Sequence, residues 1–111
     1  MLIESTKRNG FQILRVNDPV NLRSDLGDLR KAVEEYVGQG VVNIALAFSK
    51  DSYFYTKHIS ILVQCLEMLK DANGTLAMID PNEEILDVLR TIGFFDFTKI
   101  YANDDEVGLE K

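Results

Sequence analysis

The hydrophobic pattern is clearest between residues 41 and 81, where an apolar strand, a loop, an apolar helix and a second strand follow one another at close spacing. Residues 41–48 are apolar apart from Asn43, as expected of an interior strand covered on both faces. From about 56 to 71, Ile59, Leu62, Val63, Leu66 and Leu69 share one side, and Ile61, Cys65 and Met68 widen the stripe, so the pattern predicts a largely covered helix. Ala72-Asn73-Gly74 closes it, and residues 75–79 read as the next strand. Asp80-Pro81-Asn82 opens a helix carrying Ile85, Leu86, Val88, Leu89 and Ile92, which Gly93 ends.

Upstream, Ile3, Phe11, Ile13, Leu14 and Val16 flank Arg8-Asn9-Gly10, and Asn-Gly between β-forming residues predicts a hairpin over residues 2–17. Leu22, Leu26, Leu29, Val33 and Val37 recur at steps of three and four. That predicts one amphipathic helix starting at Asp18-Pro19 or Asn21 and stopping at Gly38-Gln39-Gly40. Downstream, residues 99–101 suit a short last strand and 104–111 a short terminal helix. Two strand-helix-strand units in succession require parallel strands with right-handed crossovers, and the hairpin adds an antiparallel strand at one side. The expectation is an α/β fold: one domain over 1–111, with a mixed, mostly parallel sheet of four to five strands packed with three to four helices.

Composition changes this picture little and excludes a good deal. The chain has 111 residues, 46% hydrophobic and 27% charged, the make-up of a soluble globular domain with room for its own core. Its one cysteine, Cys65, cannot form an internal disulfide, and no Cys or His cluster stands at metal-ligand spacing, so neither a metal nor a cofactor is expected. There is no leader-like N-terminus and no long uncharged apolar window, which points to the cytoplasm without membrane insertion. A net charge of −6 and a pI near 4.7 argue against direct nucleic-acid binding.

Catalytic constellations are missing. No carboxylate pair, nucleophile with base, or phosphate loop is assembled, and Gly38-Gln39-Gly40 precedes a strand instead of following one, so the chain does not read as an enzyme. Asp104-Asp105-Glu106 reads as a solvated acidic run. Cys65, on or beside the apolar stripe, reads as a small core residue. What remains is the loop at 50–58, where Tyr53, Phe54 and Tyr55 cannot all point into one core. Exposed aromatics anchor protein interfaces, so Ser52, Tyr53, Tyr55, Thr56, Lys57 and His58 form the predicted partner-binding set. Within it Thr56 suits a helix cap, and His58 a solvated first-turn residue beside Lys57.

The order of elements, with the phrases Asp25-Leu26-Gly27-Asp28-Leu29-Arg30, Val42-Asn43-Ile44-Ala45-Leu46, Ala72-Asn73-Gly74 and Leu89-Arg90-Thr91-Ile92-Gly93-Phe94, resembles the STAS domain. That family includes bacterial anti-sigma factor antagonists and the cytoplasmic tails of sulphate transporters. Its Asp-Ser-Ser/Thr-Gly motif, whose second hydroxyl residue a partner kinase phosphorylates, falls by spacing on Tyr55-Thr56-Lys57-His58. Lys57 then stands at the acceptor position and can neither take a phosphoryl group nor imitate one. Thr56 and Ser52 are the remaining candidate acceptors, although Asp51-Ser52 lies four residues early. The resemblance implies a non-enzymatic protein-interaction domain in signal transduction and transcription regulation in bacteria. It would dock a partner such as an anti-sigma factor kinase, without the usual serine phosphorylation switch. It also admits a cytoplasmic STAS subunit of a membrane-lipid ABC transport complex, a small-ligand or nucleotide sensor using the helix start, and a homodimer.

Overall fold

A computed structural model describes residues 2–109. β1 (Ile3–Arg8) and β2 (Phe11–Val16) are joined by Asn9 and Gly10, both with positive φ, 52° and 85°. Two residues of that hand match the twist of the strands they connect, which is why Asn-Gly suits the position. There follow α1 (Gly27–Gly38), β3 (Asn43–Phe48), α2 (Thr56–Asp71), β4 (Thr75–Ile79), α3 (Glu83–Thr91), β5 (Thr98–Tyr101) and a single 3-10 turn, Asp104–Glu106. The five strands lie in sequence order, β1 antiparallel to β2 and the other neighbours parallel. The chain is thus a single α/β domain with a mixed sheet of five strands and three helices.

Each crossover advances the sheet in the same direction and with the same hand, so all three helices fall on one face. Leu14, Val16, Ile44, Leu46, Leu76 and Met78 of that face are buried against Leu29 and Val33 of α1, Leu62, Leu66 and Leu69 of α2, and Ile85 and Leu89 of α3. Cys65 is fully buried among them, and burial pushes its thiol up to about 12.

Among the described residues, the other face carries no α-helix. It presents Ala45, Ala47 and Ala77 on the two central strands, and these small side chains leave room for the rings of Phe11 and Tyr101 to meet above them, centroids 6.4 Å apart and edge to face. Val107, fully buried, closes this second core from the segment after β5. Arg15 grips Asp104 through two hydrogen bonds of 3.0 and 2.6 Å, Arg8 pairs with Asp105, and Asn9 Nδ2 donates to the Val107 carbonyl at 2.9 Å. At Gly108 (φ +79°) a Cβ would stand 2.6 Å from the Asn9 carbonyl oxygen, so only glycine lets the segment pass the hairpin turn.

Three expectations are corrected. The helix foreseen from Asp18-Pro19 or Asn21 begins at Gly27, and Leu22 is exposed. The Asn21 side chain accepts from the Arg23 amide, Ser24 Oγ from the Asn21 amide and Asp25 Oδ1 from the Gly27 amide. Such local bonds compete with helix, and residues 21–26 become a series of turns that still bury Leu26. The acidic run after β5 is ion-paired with the hairpin, not merely solvated, and the predicted terminal helix shrinks to the 3-10 turn, with residues 110–111 outside the described residues.

Candidate functional site

The loop after β3 has no regular structure, yet the β4–α3 turn, the backbone at Val20 and the first turn of α2 hold it. Asn82 is the N-cap of α3, its Oδ1 accepting from the Ile85 amide at 2.8 Å. The same side chain donates Nδ2 to the carbonyls of Lys50 and Ser52, at 2.9 and 3.0 Å. Ser52, only 4% exposed, accepts the Val20 amide on Oγ at 2.9 Å, while the Tyr53 amide returns a bond to the Val20 carbonyl at 2.8 Å. Lys50 bridges to Asp80 at 2.7 Å.

Phe54 turns inward, 3% exposed, with its ring 5.0 Å from that of Phe48 at the end of β3. Its neighbours alternate outward as on a strand: Tyr53 is 56% exposed and Tyr55 40%. Their rings meet edge to face at 5.0 Å, so they stand as one corner above the start of α2.

Tyr55, in extended conformation, is the N-cap of α2, one residue earlier than Thr56, which the pattern had made the cap. A tyrosine hydroxyl cannot reach the first amides, and His58 supplies the missing group. Its Nδ1 accepts from the Tyr55 amide at 2.9 Å, as the side chain of a capping box does from the third helical position. An accepting Nδ1 carries no proton, so the proton is on Nε2, which donates to the Ser24 carbonyl at 2.9 Å. His58 is therefore not a solvated first-turn residue. It is 1% exposed, and it clamps α2 to the turn before α1.

Of the predicted set, Tyr53, Tyr55, Thr56 and Lys57 are brought together at the surface, whereas Ser52 and His58 lie beneath them as supports. Both corrections have one cause, since a loop that must hold two rings outward needs buried groups to satisfy its own backbone. The sequence reading missed Asn82, whose cap signature was visible but whose two donated bonds to the loop were not. Lys57 is exposed in the first turn of α2, where no acidic residue accompanies it. Both nitrogens of His58 are committed, and the Cys65 thiol is buried and protonated at neutral pH, so neither is placed to act as a base or nucleophile. Among the described residues no helix is long and apolar enough to cross a membrane.

Comparison with known proteins agrees with this architecture. A structure of TM1081 from Thermotoga maritima, a protein proposed to be an anti-sigma factor antagonist, superposes with a TM-score of 0.75 at 23% identity, covering 94% of this chain and 89% of that one. The Bacillus cell-fate determinant SpoIIAA in its phosphorylated form superposes with a TM-score of 0.69 at 9% identity, covering 96% of each chain. At these identities the likeness is one of fold. No curated protein gives a significant sequence match. The profile of the STAS domain, however, matches residues 3–107, nearly the whole length, and the chain belongs to the STAS domain family.

Proposed function

We propose that this protein is a non-enzymatic docking domain of the anti-sigma factor antagonist type, working in the cytoplasm of a bacterium through Tyr53, Tyr55, Thr56 and Lys57. The observation that carries the reading is the tyrosine corner. Two aromatic side chains stand outward on a loop whose backbone is fixed by Ser52, His58 and Asn82. Presenting rings on a preformed loop lowers the ordering cost of association, and aromatic anchors dominate the energetics of protein interfaces.

The partner of this reading is an anti-sigma factor kinase. Lys57 at the acceptor position leaves docking without the family's hydroxyl switch, and Ser52 is buried with its oxygen bonded to the Val20 amide, a poor substrate for a kinase. The test is retention of the anti-sigma factor kinase encoded in the same genome, by pull-down and by titration calorimetry. Tyr53→Ala combined with Lys57→Glu should weaken binding at least tenfold with the fold intact by circular dichroism. Equal binding by that variant sinks the assignment of the surface. Stoichiometric phosphate on Thr56 or Ser52 after incubation with the kinase and ATP sinks the absence of the switch. Copurification with a membrane ATP-binding subunit instead would place the chain in a lipid-transport complex.

A further inference from the structure

A recess opens at the far end of the sheet, where β2 and β3 begin, remote from the tyrosine corner. It lies between the hairpin turn and the connection from α1 to β3, has a volume of about 410 Å³, and falls within the size range of small-molecule sites. It exists because α1 stops at Gly38 and the chain reaches β3 through Gly40, whose φ of +82° calls for glycine and beside which a Cβ would meet nothing within 4 Å. The first rung of the helix-covered face is therefore left without a helix above it.

That rung is polar. Lys7 and Gln12 pair directly across the β1–β2 ladder, which puts both side chains on the same face, and both line the recess. Gln12 is 5% exposed. Its Nε2 donates to Ser5 Oγ, itself 2.7 Å from the Tyr36 hydroxyl, but its Oε1 is buried without a partner. A buried acceptor left unmatched is costly and calls for an explanation. The charge is also out of keeping with the rest of the molecule. In a chain of net charge −6, the lining residues include Lys7 and Arg8 and, among the described residues, no carboxylate. Arg8 is engaged by Asp105, so Lys7 is the cation turned to the recess.

We infer that this recess binds a small organic anion that also carries a hydroxyl or amino donor. Lys7 meets the charge, Gln12 Oε1 takes the donor, and the carbon skeleton lies against Val41 and Val42. The site is independent of the docking surface and stands or falls without it.

The test is an NMR titration of the ¹⁵N-labelled protein with four probes at millimolar concentrations: glycerol 3-phosphate, glycerate, glycerol and sulfate. The phosphate and the carboxylate, each with hydroxyl donors, should shift the Gln12 side-chain amide and the backbone amides of residues 7–12 and 40–43. Glycerol, which lacks the charge, and sulfate, which lacks the donor, should shift them several-fold less at equal concentration. Whichever of the two anions saturates first names the head group. Lys7→Gln, an exposed change that leaves the fold in place, should weaken binding at least fivefold, and Gln12→Leu should abolish it. Shifts confined to Thr56, Lys57 and His58 at the start of α2, equal response to glycerol, or no response to either anion would overturn the assignment.

Discussion

Asn82 is where the stability of the fold and the order of the docking loop can be separated. Its side chain accepts one bond, from the Ile85 amide, and donates two, to the carbonyls of Lys50 and Ser52. A cap of this kind is worth about 1 kcal/mol, and each donated bond roughly the same. Asn82→Ala loses all three, and because one of the donated bonds is solvent-exposed the expected cost is about 2–3 kcal/mol. For a domain of this size that is a fall in Tm of about 10–20 °C. Asn82→Asp discriminates. It keeps an oxygen for the Ile85 amide and adds a negative charge that the helix dipole favours, but it has no N–H to offer and sets a carboxylate against two carbonyls. It should cost about 1–2 kcal/mol, all of it through the loop. Urea unfolding should show both variants with lowered midpoints and unaltered slopes. Amide exchange supplies the spatial assignment: Ser52 and Tyr53 should lose protection in both variants, Ile85 only in Asn82→Ala. A wild-type midpoint for Asn82→Asp, with Ser52 and Tyr53 still protected, would refute the claim that Asn82 holds the loop.

Three further outcomes follow from the geometry. His58→Ala removes a buried ring and leaves the Tyr55 amide and Ser24 carbonyl without it, so urea unfolding should show a loss of about 3 kcal/mol. Arg15 holds the Asp104 carboxyl below its ordinary range, so the unfolded chain binds that proton more readily. The pair's stabilisation is complete above the ordinary carboxylate range and is lost as pH falls through the lowered one. It is worth at most about 1 kcal/mol for a half-buried pair that solvent still screens, and Asp104→Asn should flatten the acid limb of the stability curve by that amount. The Cys65 thiol, pushed up to about 12 by burial, should react with a thiolate-selective reagent at pH 8 only as fast as the protein unfolds, and labelling at a rate independent of urea would contradict this.

The elements with unbroken apolar periods were legible in the sequence. α2, β4 and the Asn-Gly hairpin fall where the pattern puts them, because Ile59 to Leu69 and Thr75 to Ile79 satisfy one period with no competing local bonds. The start of α1 was misread where Asn21, Ser24 and Asp25 take backbone amides for themselves, a contest that hydrophobic spacing does not register. The site was legible in outline only. Three aromatics in a row implied that some faced outward, but which ones did so depends on Phe54 finding Phe48 across the loop. The roles of Ser52 and His58 depend on Val20 and Ser24, more than thirty residues away, and no local motif encodes such a contact. The cover of the helix-free face was hidden for the same reason, since Arg8 and Arg15 meet Asp105 and Asp104 only once the sheet has formed.

That cover bears on how the chain reaches its fold. The bond from Asn9 to the Val107 carbonyl joins residues 98 apart, close to the largest separation the chain allows. Contacts of such separation close late, after loop entropy has been met by the nearer pairings. During synthesis the hairpin and central strands emerge from the ribosome well before Val107, and until it arrives Phe11, Ile13 and the alanine rows are left open to solvent. The interval is one of risk, since apolar sheet surface exposed in a partly made chain is prone to aggregate. Arg8 and Arg15, before they find their carboxylates, lie at the border of that open face and act as charged guards against a second chain settling on it.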